Sequence, residues 1–241
     1  IEVIGKEGTL HTEVTSIARG FGIPVLFDNK SLLEADKINL EISEGESNNR
    51  LDFRSKNVFT IDPVDAKDFD DALSIEKLEN GNYKVGVHIA DVSHYVKAGT
   101  SIDKEASVRG NSVYLVGKAI PMLPEKLSNN ICSLVPNEDR LTFSVVFEMT
   151  EKGNLVNHQI AKTIINSKRR FTYEEAQKII ESGEGDFSKE VILLNELAKH
   201  IRSKRMKTGS FEFFTPEVEF QLDENGYPSN ILKKEMKESN M

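Results

Sequence analysis

The 241-residue sequence contains no tryptophan and one cysteine, Cys132, so neither an internal disulfide nor a cysteine-based zinc cluster holds it together. That scarcity points to a reducing, cytoplasmic setting. No apolar run approaches the roughly 20 residues that cross a bilayer as a helix, which excludes that kind of membrane protein. The opening IEVIGKEGTLH has no basic segment followed by an apolar core, so it does not read as a secretory signal. Internal repeats and low-complexity tracts are absent as well. Positive charge is in deficit overall, and a net charge of −8 argues against a surface coated for nucleic acid. The distribution matters more than the sum. Acid is concentrated at 62–71, and base is concentrated in KRR at 168–170 and KHIRSKRMK at 199–207.

The length allows one large domain or two small ones, with a real core. Residues 11–24 carry a helical stripe at Val14, Ile17, Ala18 and Phe21, stopped by Gly22 and Pro24. Residues 28–50, rich in charge, Ser and Asn, read as a short helix and a mobile linker, with a domain boundary near residue 50. Beyond it VFTID (58–62), ALSIEKL (72–78) and YKVGVHIADV (83–92) alternate apolar and polar residues, and the ENGN turn makes the last two a hairpin. A second hairpin joins RLTFSVVFEMT (140–150) to LVNHQIAKTIINS (155–167). Thr172 and Glu175 stand at capping-box spacing and start a helix. Another helix over 188–206 puts Val191, Leu194, Leu197, Ala198 and Ile201 on one face. FEFFTPEVEFQLDENGYPSNI then returns to strand, with its turn at Asn225 and Gly226. The expected class is α+β, with largely antiparallel, partly curled sheets and helices packed alongside. Both ends read as cut: residues 1–10 as the tail of a strand, and KKEMKESNM as an interrupted helix.

What the sequence has in excess is aspartate in one place. FTIDPVDAKDFDD packs five into positions 62–71 against a single lysine, Lys67. Carboxylates this close repel, and without a partner at least one is pushed toward protonation. A divalent cation resolves the conflict. Hard oxygen ligands with no His or Cys in the loop suit Mg²⁺ or Mn²⁺ better than zinc. Asp62 closes a strand, while Asp68 and Asp70 point the same way on an extended backbone and Asp71 faces the other side unless the chain kinks. Three other readings compete. One is a solvated acidic turn, the usual outcome for a charge run. Another is structural calcium, although no Gly holds the sixth position of an EF-hand loop. The third is a phosphotransferase D-x-D aspartate, although no parallel-strand apolar run precedes Asp68. His88 and His94 flank Asp91 in HIADVSH, but strand alternation splits that trio between two faces and favours core and turn roles. Cys132 reads as a buried small residue, and PMLPEKLS as a rigid turn into a short helix.

From residue 58 onward the stretches FTIDPVDAKDFDDALSI, VGVHIADVSHYVKAGTSIDKEASVRGNSVYLVGKAIPMLPEKLSNNICSLVPNEDRLTFSVVFEMT, INSKRRFTYEEAQ and KTGSFEF follow one another. In order and spacing they resemble the RNB-type catalytic domain of the ribonuclease II and ribonuclease R family of 3′-to-5′ exoribonucleases. The forms DAKDFDDA and VYLVGKAIPMLP are most similar to the bacterial ribonuclease R branch. The resemblance implies that residues 1–50 are the end of a preceding cold-shock-type barrel plus helix and linker. Residues 51–241 are then the N-terminal part of the catalytic domain, lacking an arginine and a glutamate that complete its centre.

By the same resemblance Asp62, Asp68, Asp70 and Asp71 match the four active-site aspartates that hold Mg²⁺, with Mn²⁺ as a substitute, and Asp65 falls outside the motif. Asp70 is the expected most damaging loss. Tyr114 corresponds to a tyrosine that packs against terminal nucleotides, a sequence-tolerant contact; read alone it is a half-buried strand residue. Arg109, Arg140 and Arg170 are phosphate-binding candidates. The strip Lys199, Arg202, Lys204, Arg205 and Lys207 either lines an RNA path or is a solvated helix face. The implied activity is processive, Mg²⁺-dependent hydrolysis of single-stranded RNA to nucleoside 5′-monophosphates, with this piece inactive alone. No membrane is involved, and other RNA-decay or ribosome-associated proteins are candidate partners. The alternative is a non-catalytic RNA-binding module with a structural metal site.

Overall fold

The computed structural model describes residues 3–211, 217–224, 227–234 and 237–240. Two compact units form. One comprises Ile1–Asn39, Tyr95–Ser128 and Phe214–Glu235, and the other Leu40–His94, Asn129–Phe213 and Met236–Met241. In chain order the helices are α1 (Leu10–Gly20), α2 (Asn29–Lys37), α3 (Glu44–Asn48), α4 (Val92–Tyr95), α5 (Ser101–Arg109), α6 (Tyr173–Ser182) and α7 (Ser188–Lys207). The strands are β1 (Leu51–Asp52), β2 (Val58–Asp62), β3 (Asp71–Lys77), β4 (Tyr83–Ala90), β5 (Val113–Leu115), β6 (Lys118–Ile120), β7 (Asp139–Met149), β8 (Leu155–Asn166), β9 (Arg169–Thr172), β10 (Glu217–Leu222) and β11 (Pro228–Lys234). None of the described helices is long and apolar enough to cross a membrane.

The first unit holds α1, α2, α5 and two antiparallel hairpins, β5–β6 and β10–β11. The stripe expected on α1 buries Val14 and Ala18 but leaves Ile17 and Phe21 exposed. The expected turn residues Asn225 and Gly226 lie outside the described residues. Helix α5 is an addition to the sequence reading, because SIDKEASVR has no apolar stripe and buries only Ile102. It starts instead on polar contacts: the Thr100 hydroxyl accepts from Asp103 N–H, and Glu34 accepts from the N–H groups of Ser101 and Ile102 at 2.7 and 3.2 Å.

The second unit is built on a seven-stranded sheet in the order β1-β8-β7-β4-β3-β2-β9. Its interior pairs are antiparallel, and both expected hairpins, β3–β4 and β7–β8, are present. The two edges are parallel, β1 on β8 and β9 on β2, which the alternation patterns did not foreshadow. Helix α6 begins with the full capping box: the Thr172 hydroxyl accepts from Glu175 N–H, and the Glu175 carboxylate accepts from Thr172 N–H. Gly183, in the left-handed conformation, ends it. Phe59 of β2, Phe171 of β9, Ala176 and Ile179 of α6 and Val191 of α7 form one buried cluster, with Phe59 and Phe171 edge-to-face at 5.6 Å. Burying each ring contributes about 2–3 kcal/mol. Leu197 of α7 extends the cover to Ile75, Tyr83 and Val85. The even positions Thr60 and Asp62 face away from Phe59 and Ile61 along the same strand.

Residues 40–50 are less of a linker than their composition suggests. Ser43 caps α3 by accepting from Glu46 N–H, and Arg50 is buried.

Candidate active site

The aspartates occupy the end of β2, the connection 63–70 and the first residue of β3. That connection is pinned at successive points. Ala66 N–H donates to the Pro63 carbonyl at 3.1 Å, closing a turn that leaves Asp65 exposed. Farther on, the buried Ser133 hydroxyl donates to the Lys67 carbonyl at 2.8 Å and accepts from Phe69 N–H at 3.0 Å. Leu134 N–H donates to the Phe69 carbonyl at 2.9 Å, and Ala90 N–H to the Asp70 carbonyl at 2.9 Å. Asp68 is therefore held between two residues tied to one serine. Because the backbone enters strand only at Asp71, simple alternation does not carry across 68–71.

Electrostatics bring the four acids together. Burial pushes the Asp62 carboxyl above the ordinary carboxylate range, Asp71 and Asp68 add to the rise, and Arg170 opposes it. Thr60 also opposes it as a neighbouring dipole, although its hydroxyl finds no partner in hydrogen-bond geometry. Asp70 is raised by desolvation, then by Asp68 and Asp71, and Asp71 by desolvation. Asp70 and Asp71 stay open to solvent, so water discounts their rise relative to Asp62, which is 8% exposed. Asp62 Oδ2 is buried with no hydrogen-bond partner. Asp62 and Asp71 also line a cavity of about 450 Å³ whose other walls include Leu73, Val87, Ile180 and Leu194.

Among the described residues, no three carboxylate, histidine or cysteine side chains converge closely enough to cage a metal ion by themselves. The donor set nonetheless fits Mg²⁺ or Mn²⁺ chemically: all-oxygen ligands, mutual repulsion and an orphaned buried oxygen. Mg²⁺ in particular is held by one or two carboxylates together with water and substrate phosphate, without an all-protein cage.

The cations expected to meet RNA separate on inspection. Arg109 is a correction. Its side chain is 2% exposed, its guanidinium lies 3.7 Å over the Phe27 ring, and it donates to the carbonyls of Pro24 and Leu26 and to Glu105, each at 2.8 Å. It ties its own unit together and presents no face to a phosphate. Lys204 is exposed, and its ammonium donates to the Lys152 carbonyl and Asn154 Oδ1 across the β7–β8 turn. Lys199 pairs with Glu238 at 2.7 Å, so the basic strip is partly spent on the fold. Arg140 is buried and donates to the Ser133 carbonyl at 2.9 Å. Arg205 is exposed on α7. Tyr114 sits in β5 of the first unit and is 69% exposed, not half-buried. Arg170 lies in β9 opposite Thr60, donates to the Pro63 carbonyl, and carries its guanidinium 5.5 Å over the Phe69 ring.

Neither His88 nor Asp91 is a ligand in waiting. His88 is fully buried between the hydroxyls of Ser74 and Ser144, and Asp91 pairs with Arg50. Cys132 is buried, and desolvation followed by the Asp70 charge pushes its thiol up to about 12, which leaves it inert. The residue that sequence reasoning missed is Ser133: nothing in ICSLVP marks one serine as the anchor of a loop 64 positions earlier.

A mixed sheet with an acidic strand-to-strand loop and helices over one face is the framework of the RNB domain, whose family model matches residues 50–241; the chain belongs to that family. Among relatives, it is 40% identical over 239 residues to "Ribonuclease R 1" of Lactococcus lactis, covering 97% of this chain and 29% of that protein. It is 44% identical over 217 residues to "Ribonuclease R" of Thermotoga maritima, covering 88% and 31%. The structure titled "Mycoplasma genitalium RNase R in complex with ribose methylated single-stranded RNA" superposes with a TM-score of 0.92 at 27% identity, over 100% of this chain and 38% of that one. "Structure of yeast Ssd1, a pseudonuclease" shares the fold at a TM-score of 0.72 and 20% identity, over 86% and 26%. The chain thus spans about a third or less of the curated relatives it matches.

Proposed function

We propose that the protein containing this chain is a Mg²⁺-dependent exoribonuclease that removes nucleotides from the 3′ end of single-stranded RNA, processively, as nucleoside 5′-monophosphates. The observation that carries this reading is the loop itself: four acids close together, of which Asp62 and Asp70 are raised by burial and then by the charges of Asp68 and Asp71, with a buried Asp62 oxygen left without a partner. Carboxylates raised by burial beside a cavity mark a candidate working site. A bound divalent cation would supply charge neutralisation and water activation at the scissile phosphate. Asp62, Asp68, Asp70 and Asp71 are its holders, and Asp70 is raised by the charges of both Asp68 and Asp71. The single-stranded RNA named with the Mycoplasma structure supports the substrate class. Tyr114, exposed on its hairpin, is suited to stack on a base, and Arg205 to meet the backbone. We place the activity in the cytoplasm, with other RNA-decay or ribosome-associated proteins as partners to be sought by co-purification. The chain alone is inactive on this reading.

The test is mononucleotide release from a 3′-tailed single-stranded RNA by the full-length protein. Activity should need Mg²⁺ or Mn²⁺, stop with EDTA, and fall on the order of 10³-fold in Asp70→Asn. The competing reading is a non-catalytic RNA-binding module with a structural cation, favoured by the shared fold of a protein titled a pseudonuclease. RNA binding without release, unchanged by Asp70→Asn, would establish it.

A further inference from the structure

Arg170 belongs to β9, yet its side chain reaches both ends of the aspartate loop. One terminal nitrogen donates to the Pro63 carbonyl, which also accepts the turn-closing N–H of Ala66. The guanidinium carbon lies 5.5 Å from the centroid of Phe69, within cation–π range. Phe69 is 9% exposed and stands between Asp68 and Asp70. The Arg170 Nε is buried and has no partner, so the stem is directed into the protein. The backbone behind this reach is fixed, because Thr60 and Arg170 are direct partners in the parallel β2–β9 ladder, and Asp62 and Thr172 follow in the same register. Ser133 holds the loop from the other side through Lys67 and Phe69.

We propose that Arg170 is a positioning residue, which straps residues 63–69 in place so that Asp62, Asp68, Asp70 and Asp71 stay grouped despite their repulsion, and that it is not a phosphate contact. The inference deepens the proposed function and rests on it for the cation. The strap itself is a property of the cation-free protein. Lysine cannot replace it, since a single ammonium lacks the spread of the guanidinium that reaches the Phe69 ring and the Pro63 carbonyl at once.

The experiment compares wild type with Arg170→Lys and Arg170→Ala in the full-length protein, after far-UV circular dichroism has shown that each variant folds. In EDTA, amide hydrogen exchange at Ala66 and Phe69 should speed up on the order of tenfold in both variants. Mn²⁺ affinity, read by titration calorimetry, should weaken on the order of 10-fold, as for loss of a residue that orients metal ligands. RNA affinity measured in EDTA should stay within about twofold, and Phe69→Leu should reproduce the exchange effect in part. Unchanged loop exchange overturns the strap. So does a loss of RNA affinity in EDTA with Mn²⁺ affinity intact, which would make Arg170 the phosphate contact. If wild type binds no Mn²⁺, the cation reading falls, and the exchange data still decide the role of Arg170. Should Arg170→Ala fail to fold, Arg170→Lys and Phe69→Leu carry the same readouts.

Discussion

Asp91 and the pair Asp70–Asp71 stand at the same ends of neighbouring strands, yet their charges are handled in opposite ways. Asp71 opens β3 opposite Ile89 of β4, and Asp91 follows two residues after Ile89. Burial pushes Asp91 up, but hydrogen bonds from Arg50 and Ser93 pull it below the ordinary carboxylate range. Arg50 meets it at 2.7 Å, adds Glu46 at 2.7 Å, and gives its other terminal nitrogen to the Thr142 carbonyl at 3.2 Å. Asp70 and Asp71 shift the other way: burial raises both, and the charges of Asp68 and Asp71 raise Asp70 further. One site spends its charge on holding the fold, and the other keeps its charge in reserve for a ligand. Departures from local electrostatic consistency concentrate where function is carried.

The sharpest way to break this contrast is to remove one charge from each site. Arg50→Ala strands Asp91 and should cost about 3–5 kcal/mol in urea unfolding, the penalty for half of a buried ion pair. Asp70→Asn should cost nothing or raise the midpoint, because it removes a repulsion. Equal destabilisation by the two variants would mean that the aspartate loop is as internally satisfied as the Arg50 site.

Acidification tests the same contrast through His88, which lies under Asp91's end of the sheet in a chain of hydroxyls. Ser74 and Ser144 flank its ring at 2.9 and 2.8 Å, and Ser144 and Thr142 both meet Thr163. Gly86 is confined by the same network, since a Cβ there would come within 2.6 Å of the His88 ring. Desolvation lowers the imidazole from 6.5 to about 4. Between those values the unfolded chain holds a proton that the folded one lacks, so stability rises with pH and is lost on acidification from 6.5 toward 4. The loss should approach roughly 3 kcal/mol, and His88→Asn should flatten that part of the profile. The aspartate loop acts oppositely, as its raised carboxyls relax when protonated. A midpoint that climbs over that range would show that the loop outweighs His88.

The two regions were unequally legible in the sequence. Local signals are plain in the sequence: the capping box at Thr172 and Glu175 and both hairpins depend on neighbours within a few residues. The density of acid at 62–71 was equally plain. Long-range satisfaction was not. Arg50, in a stretch that reads as linker, is buried by partners 41 and 92 positions away. Arg109 looked free and is enclosed by Phe27 and two carbonyls more than 80 residues earlier. A cation's sequence neighbours do not say whether a distant carbonyl or aromatic ring will consume it. The parallel β9 edge is invisible locally for the same reason, since RRFT has no alternation and gains its place only by lying along β2.

A cation titration sharpens the comparison at the loop. Mg²⁺ or Mn²⁺ at about 100 times its dissociation constant should stabilise the protein by about 2.7 kcal/mol. The effect is expected because binding removes repulsion that folding has to tolerate. Asp62→Asn and Asp70→Asn should shrink the shift, whereas Ser93→Ala, which removes a hydrogen bond to Asp91, should leave it intact. A shift that survives both loop variants would place the cation elsewhere.

The smallest effects separate two adjacent cations on α7. The Lys204 ammonium is committed to the turn between β7 and β8, so Lys204→Ala should cost about 0.5–1.5 kcal/mol in unfolding, the net worth of such bonds. Its effect on RNA binding should be negligible, because the charge already faces protein acceptors. Arg205, one residue on, is exposed. If it meets the backbone of a single strand, Arg205→Ala should leave unfolding unchanged but reduce the slope of log affinity against log salt by about 0.7, the contribution of one phosphate neutralised. Measured in EDTA, that slope depends on counterions alone and is independent of the aspartates. A slope lost with Lys204 and kept with Arg205 would reverse the assignment and show that the turn contact opens when RNA binds.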